Sequence, residues 1–422
     1  MAENSSEFKP YIPADKITPE FTITSILTGI ILAIVFGAAN AYLGLRVGMT
    51  ISASIPAAVI AMGITRIIFK KNSILESNMV QTIGSAGESV AAGAIFTMPA
   101  LFLWAKEGLI NQPSLLSISL ITLCGAILGV LFMIPLRNSI IVQEHGILPY
   151  PEAQACAEVL LAGEKKGSDA KAVFSGMAIA TLLISTILLK VSGDTGAHGM
   201  VSAITIGSII CVIAAIAGDT SQDLKTGYIL GATPKKQQIG ELVGAIISAL
   251  TIGGVLILLD SAWGFGSKEL AAPQATLMKL VTEGVMNGNL PWSYVFIGAA
   301  CTVLFELLGL PSLAVAIGIY LPIELTAPIM LGGVLRRLMD KKNKTQSSES
   351  SKGVLFCSGL IAGEGLMGVL LAILTVAGIA DKIGLGANIP AGVSLAGSVI
   401  LLVVLVTLIV CHNRSAKNEK AE

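Results

Sequence analysis

The chain has 422 residues, 54% of them hydrophobic and 13% charged, with a formal net charge of zero and a mean hydropathy of +0.81. A soluble domain carries about 25% charged residues, so a water-soluble globule is excluded, and a neutral chain offers no basic excess for nucleic acid. The composition predicts an all-α polytopic membrane protein of about 9–12 transmembrane helices.

Residues 1–20 are polar and contain Pro10, Pro13 and Pro19, with none of the basic, apolar and small-residue regions of a signal peptide. They are expected to be a cytoplasmic tail, the first span serving as its own insertion signal. Spanning segments are expected at 21–43, 49–69, 114–136, 173–192, 199–217, 239–259, 293–310, 313–335 and 391–411. Two more, 78–103 and 353–377, are long enough to cross but carry a glutamate inside. Segments 148–162 and 219–232 are short and interrupted by Pro or Gly, the pattern of re-entrant or broken helices.

The domain plan is a first transmembrane half over 21–164, a basic linker at 165–172 and a second half over 173–411. A cytoplasmic linker lies at 336–352 and a tail at 412–422. Lys and Arg gather at 70–71, 165–171, 234–236 and 336–344, which places those loops and both termini inside. The number of crossings between 236 and 336 comes out odd, so one segment, 219–232 just before that interval or 313–335 within it, does not cross as drawn.

An internal repeat runs beneath this plan. Registering Gly44 on Gly318 matches Ala53 with Ala327 and Ile55 with Ile329, with Pro56 and Pro328 nearby. Each copy is followed by a basic loop and an Ala-Gly-Glu inside an apolar run, ending at Glu88 and Glu364. Such repeats, with a site at their interface, characterise secondary transporters.

Acids inside spans are costly and should face protein or water. On a helix, Asn78, Gln81, Ser85 and Glu88 share one face, which points to a pathway lining or a structural hydrogen-bond network. Burial raises a carboxyl pKa, so Glu88, and with a poorer polar stripe Glu364, are candidate proton carriers. Asp219, Gln222 and Thr226 share a second polar face, with Asp223 and Lys225 directed elsewhere. In "LPYPEAQACAEVL" (148–160), the prolines prevent a helix arriving but suit one leaving. Glu152 then sits in a first turn, where the helix dipole favours it. A short helix of this kind would present Tyr150, Glu152 and Gln154, with Glu158 two turns in.

Glu306 and Glu324 are isolated acids in apolar runs, while Arg46 and Arg66 lie near helix ends. The six cysteines form no CxxC pair and the three histidines lie far apart, so buried free thiols are expected, with no disulfide framework, metal site or cofactor. No GxxxxGK[ST] loop, HExxH or TVGYG-type filter occurs. A membrane enzyme would need a nucleophile–base pair, and none accompanies the acids.

The stretches "NAYLGLRVGMTISASIPAAVI" (40–60), "NMVQTIGSAGESVAAG" (78–93), "LPYPEAQACAEVLLAGE" (148–164), "GDTSQDLKTGYILGATPKKQQIGELVG" (218–244), "GNLPW" (288–292), "PSLAVAIGIYLPIELTAPIMLGGVLRR" (311–337) and "GLIAGEGLMG" (359–368) resemble the oligopeptide transporter family. That family includes the yellow-stripe-like metal-chelate transporters, and the likeness is closest to its prokaryotic branch. The resemblance implies a duplicated helical fold and proton-coupled uptake of small peptides, peptide-like compounds or metal chelates across the cytoplasmic membrane. It also implies further spans between the "PYPE" stretch and "SGMAIATLL", a block this chain lacks, and a small hydroxyl-bearing residue where Glu324 stands.

The expected function is a secondary transporter, with Glu88 and Glu364 for proton coupling and Asn78, Gln81, Ser85, Tyr150, Glu152, Gln154, Glu158, Asp219, Gln222 and Thr226 for substrate. The rival expectation is a truncated, transport-incompetent relative that at most binds. Gly-rich helices also permit close contact with a second copy.

Overall fold

The computed structural model describes residues 8–418 except 14, 17, 51, 71–72, 146, 149, 162–181, 195, 321–322, 344–351 and 380–390. Among the described residues the secondary structure is helical, with one isolated bridge, His145 to Leu148. Five helical stretches are long and apolar enough to cross a membrane: Ile23–Val47, Ile74–Lys106, Leu115–Gln143, Gly196–Leu230 and Pro234–Trp263. The protein is an all-α, multi-pass membrane protein.

Helix α1 (Ile23–Val47) opens on a Thr22 cap, closed by Ser25 as a capping box, and stops at Gly48 in the left-handed region. The expected span 49–69 is instead a short α2 (Ser54–Gly63) continued by a π-helical turn, Ile64–Ile68. Ten α-helical residues reach about 15 Å, half of the hydrocarbon thickness.

Helix α3 (Ile74–Ile95) is capped by Ser73 and leads through a short connection to α4 (Pro99–Lys106). Every residue of α3 from Leu75 to Ile95 is buried, so it is the axis of the molecule. It lies against α1, α2, α8 (Gly196–Leu230) and α9 (Pro234–Trp263). Close approach to α1 needs Gly87, because a Cβ there would fall on the carbonyl of Ala33. Ala86, Val90 and Ala94 of α3 join Val212, Ile216, Ala245 and Ala249 in one apolar core.

Helix α5 (Leu115–Arg137) packs on α8 and α9 and ends in a π-helical turn, Asn138–Gln143. Helix α6 (Pro151–Leu161) is short, as its prolines predict, and carries Glu152 in its first turn. It sits between α2 and α8, where Cys156, Ala157 and Leu160 meet Ala58, Leu75 and Leu230. The first part of the expected span 173–192 lies outside the described residues; its end forms α7 (Leu182–Val191).

The expected break between 199–217 and 219–232 is absent. Helix α8 runs unbroken for 35 residues, and Gly227 admits α9 closely, since a Cβ there would strike the Gln237 side chain. The chain turns only at Gly231, whose φ of 90° a side chain rarely adopts. At this turn the N-terminal segment docks. Tyr11 and Ile12 donate backbone hydrogen bonds to Ile229 and Leu230, and the carboxylate of buried Glu20 accepts from Thr233 N, Thr233 Oγ1 and Lys236 Nζ. Residues 8–12 and Glu20 are thus tied to the bundle rather than trailing from it.

Helix α10 (Pro273–Met286) was not expected from the sequence. Its Lys279 reaches Glu107 at 2.6 Å and its Glu283 accepts from Trp104 Nε1 at 2.6 Å. The remaining helices are α11 (Trp292–Leu307), α12 (Ser312–Tyr320), α13 (Ile323–Asn343), α14 (Lys352–Val376) and α15 (Ala391–Asn418). The expected span 313–335 is covered by α12 and α13, with residues 321–322 between them outside the described residues. Pro328 lies inside α13. Helix α14 packs on α1, α9 and α15, while α11 buries none of its residues.

Candidate functional site

The polar stripe of α3 meets the last three turns of α8 in the middle of the bundle. Asp223 is at the junction, 1% exposed. Its Oδ1 accepts from Gln81 Nε2 at 2.6 Å and its Oδ2 from Ser85 Oγ at 2.7 Å. The sequence reading had Asp223 pointing away from the Asp219 face. In the structure both are interior, because this end of α8 is enclosed by α3, α6 and α9 and has no solvent side.

Asp219, one turn before Asp223, and Glu241 of α9 complete a trio of buried carboxylates whose nearest oxygens all lie within 4.8 Å of one another. Thr220 Oγ1 donates to Glu241 Oε1 at 3.2 Å. Gln237 Nε2 donates to the Asp223 carbonyl at 3.0 Å and lies 3.4 Å from Thr82 Oγ1, linking α9 to both other helices. Glu241 was missed among the sequence candidates. The signal was present, since Gln237 and Glu241 are one turn apart on α9, but they follow the basic 234–236 cluster and read as a solvated helix end.

Glu88 lies two turns along α3 from Gln81 and is buried. Its Oε2 accepts from the backbone N–H of Ala53, the residue before α2, at 3.1 Å. Glu152 of α6 accepts from Ser52 Oγ in the same connection. Two acids from different helices thus fasten the break between α1 and α2, beside the positive end of the α2 dipole.

The α6 face continues this network. Ala153 N donates to Gln222 Oε1 at 3.1 Å, and Thr226 Oγ1 donates to the Ala153 carbonyl at 3.1 Å. Buried Tyr150 donates to the Ile140 carbonyl at 3.3 Å. Its ring lies 4.9 Å below Lys225 Nζ, which also faces the Tyr228 ring at 5.4 Å and donates to the Ile141 carbonyl at 2.8 Å. Lys225 is 1% exposed, a buried cation held by π-faces and a carbonyl. Its interior position also departs from the sequence reading.

Asn78, Gln81, Ser85, Glu88, Tyr150, Glu152, Asp219, Gln222 and Thr226 therefore gather around one seam. Gln154 does not: its side chain is exposed. Glu158 lies on α6, but its side chain is outside the described residues, as is that of Glu324. Glu364 is separate from the seam. It lies on α14 with its side chain 56% exposed, 3.7 Å from Arg46 Nη1. Arg46 in turn donates to Tyr42 Oη. The Ala-Gly-Glu of the second copy thus occupies a different environment from the first.

Chemically, the seam offers carboxylates, amides and hydroxyls with one shielded lysine. Asn78 is fully buried with neither side-chain polar atom hydrogen-bonded, and Gln81 Oε1 and Glu241 Oε2 likewise have no partner. Buried polar groups are normally satisfied, so the seam has spare capacity to bind.

The chain is similar to proteins named as transporters. A protein of Haemophilus influenzae named as an oligopeptide transporter is 34% identical over 237 residues, covering 48% of this chain and 37% of that protein. One of Saccharomyces cerevisiae, also named as an oligopeptide transporter, is 28% identical over 181 residues, covering 39% and 25%. One of Arabidopsis thaliana named as a metal-nicotianamine transporter is 27% identical over 222 residues, covering 48% and 30%. Each match covers well under half of the relative's own length. The description "OPT oligopeptide transporter protein" fits residues 20–179 and 171–375, and the chain belongs to that family of membrane transporters.

Proposed function

We propose that this protein is a secondary active carrier, not an enzyme, which takes up small peptides, peptide-like compounds or metal chelates across the cytoplasmic membrane together with protons. The observation that carries the reading is the buried polar seam around Asp223, built from α3, α6, α8 and α9, in which the Asn78 side chain and Gln81 Oε1 have no hydrogen-bond partner. The relatives' names supply the substrate classes. In this reading Asn78, Gln81, Ser85, Tyr150, Glu152, Gln222 and Thr226 contact substrate. Glu88 carries the proton, since its carboxylate sits on the α1–α2 break and its protonation would release the Ala53 N–H. Glu364, paired with Arg46 on the outside of α1, has the weaker claim. The bilayer is the solvent, and α11 is the face available to a second copy.

Purified, monodisperse protein in liposomes with an internal pH dye tests this. Mixed di- to hexapeptides, then metal–nicotianamine, should acidify the lumen, and Glu88→Gln should abolish the acidification while the protein stays monodisperse. Undiminished coupling in Glu88→Gln removes the assignment to Glu88.

A second reading has its own support. The family description fits as two stretches that overlap at 171–179, beside the basic linker 165–172, where the resemblance places a missing block. A carrier without that block would bind substrate but not move it. Binding without flux, while a full-length relative transports in parallel, would select this reading.

A further inference from the structure

The carboxylate trio asks for more than a structural explanation. Asp219 and Asp223 are one turn apart on α8, and Glu241 faces them from α9. All three are buried, at 8%, 1% and 1% exposure. Like charges this close disfavour one another strongly in an interior of low dielectric. The lysine on the same stretch of α8 does not answer them, since Lys225 Nζ is engaged by the Ile141 carbonyl and two aromatic rings. Among the described residues, the hydrogen-bond partners of the Asp223 and Glu241 carboxylates are an amide and two hydroxyls, from Gln81, Ser85 and Thr220.

A second observation comes from another helix. Gln81 is fully buried on α3, and its Nε2 is spent on Asp223 Oδ1. Its Oε1 is on the same carbon, is therefore held beside the trio, and has no donor. An acceptor with no proton to accept, placed next to three further acceptors, is what a cation requires. Glu241 Oε2 is unbonded in the same way.

The donor set is all oxygen: three carboxylates, one amide carbonyl and the Thr220 hydroxyl. Oxygen-only sets suit hard cations such as Ca²⁺, Mg²⁺ and Mn²⁺, whereas softer metals take imidazole or thiolate. The buried thiol of Cys156 donates instead to the Ser54 carbonyl. Oxygens within 4.8 Å of one another fit on a shell of about 2.3–2.6 Å radius without rearrangement. One divalent cation would also cancel two of the three negative charges.

We propose that Asp219, Asp223 and Glu241, with the Gln81 amide oxygen, form a binding site for one hard divalent cation, which pins α8 to α9 and α3. The site stands whether or not the chain transports, because equilibrium binding reads it directly.

The experiment uses the full chain in lipid nanodiscs, stripped with chelator and titrated with Mn²⁺ while the free-ion EPR signal is followed. Wild type should take up one Mn²⁺ that Ca²⁺ or Mg²⁺ displaces, with a rise in the thermal midpoint. Asp223→Asn and Glu241→Gln should each weaken uptake at least about tenfold. Gln81→Met, which keeps the bulk and removes the amide oxygen, should weaken it less, and it serves if the carboxylate variants do not fold. Glu283→Gln, on α10 away from the trio, should bind as wild type does. No uptake by wild type at millimolar Mn²⁺, or equal uptake by wild type, Glu241→Gln and Gln81→Met, overturns the proposal.

Discussion

Asp223 shows what a single buried acid asks of its neighbours. Both oxygens are held, by Gln81 and by Ser85, and hydrogen bonds to a charged group contribute about 1.5–3 kcal/mol each. Ser85→Ala leaves Oδ2 without its donor and should lower stability by about that amount. Denaturation in mixed micelles measures it, and a loss within error would mean that water replaces the hydroxyl. His145 offers a pH-dependent counterpart outside the spans. Its ring packs on Phe8 at 4.3 Å and Tyr228 at 5.3 Å, with Lys225 as the charged group facing it. Burial, and then the Lys225 charge, hold its pKa below the ordinary value. The unfolded chain, with an ordinary imidazole of about 6.5, therefore binds more protons than the folded one between the lowered value and about 6.5. Stability accordingly falls as pH drops through that window. His145→Phe keeps the stacking and removes the titration. The fall in thermal midpoint between about pH 7.5 and about pH 5.5 should be smaller in the variant, and equal falls would show that His145 is not its source.

At the scale of elements, the α1–α3 crossing is the tightest test of the packing. Gly87→Ala places a methyl on the Ala33 backbone, and overpacking of this kind costs about 1–3 kcal/mol. Gly254→Ala on α9 meets nothing within 4 Å and should be neutral or stabilising by up to about 1 kcal/mol. Thermal midpoints in detergent compare the two; equal effects would place α1 farther from α3 than the structure does. The same elements show what the sequence disclosed. Helices α1 and α5 were legible because each is an apolar run of spanning length between polar ends. The α3 stripe was legible because Asn78, Gln81, Ser85 and Glu88 repeat at helical spacing. The continuity of α8 was not, because glycine at 218 and 227 reads as a breaker unless a neighbour fills the space, and only the fold supplies Gln237 there. The interior positions of Asp223 and Lys225 were hidden for a related reason. A helix buried on every side has no outward face, so periodicity cannot sort its charges. Helix α10 was missed because its polar residues Lys279 and Glu283 answer to Glu107 and Trp104, partners far away in sequence.

Across the whole molecule, burial is uneven: α3 is interior along its length, while α11 has no buried residue. The six cysteines sample this gradient. All are free thiols, as the sequence implied, but only Cys156 on α6 and Cys211 on α8 are buried; Cys124 and Cys411 are exposed and Cys301 and Cys357 intermediate. The expectation of six buried thiols treated every apolar run as interior, whereas a membrane protein also turns apolar residues outward to lipid. An apolar maleimide applied in detergent should therefore modify Cys124 and Cys411 first, Cys301 and Cys357 more slowly, and Cys156 and Cys211 only after SDS. Mass spectrometry of peptides reads the order. The informative site is Cys156. Its protection depends on α6 lying between α2 and α8, the placement that also brings Glu152 to Ser52 and Ala153 to Gln222. If Cys156 reacts as fast as Cys124 while Cys211 stays protected, the α3–α8–α9 core stands but α6 is not seated on it. The seam would then lose its fourth wall and keep Asp219, Asp223 and Glu241.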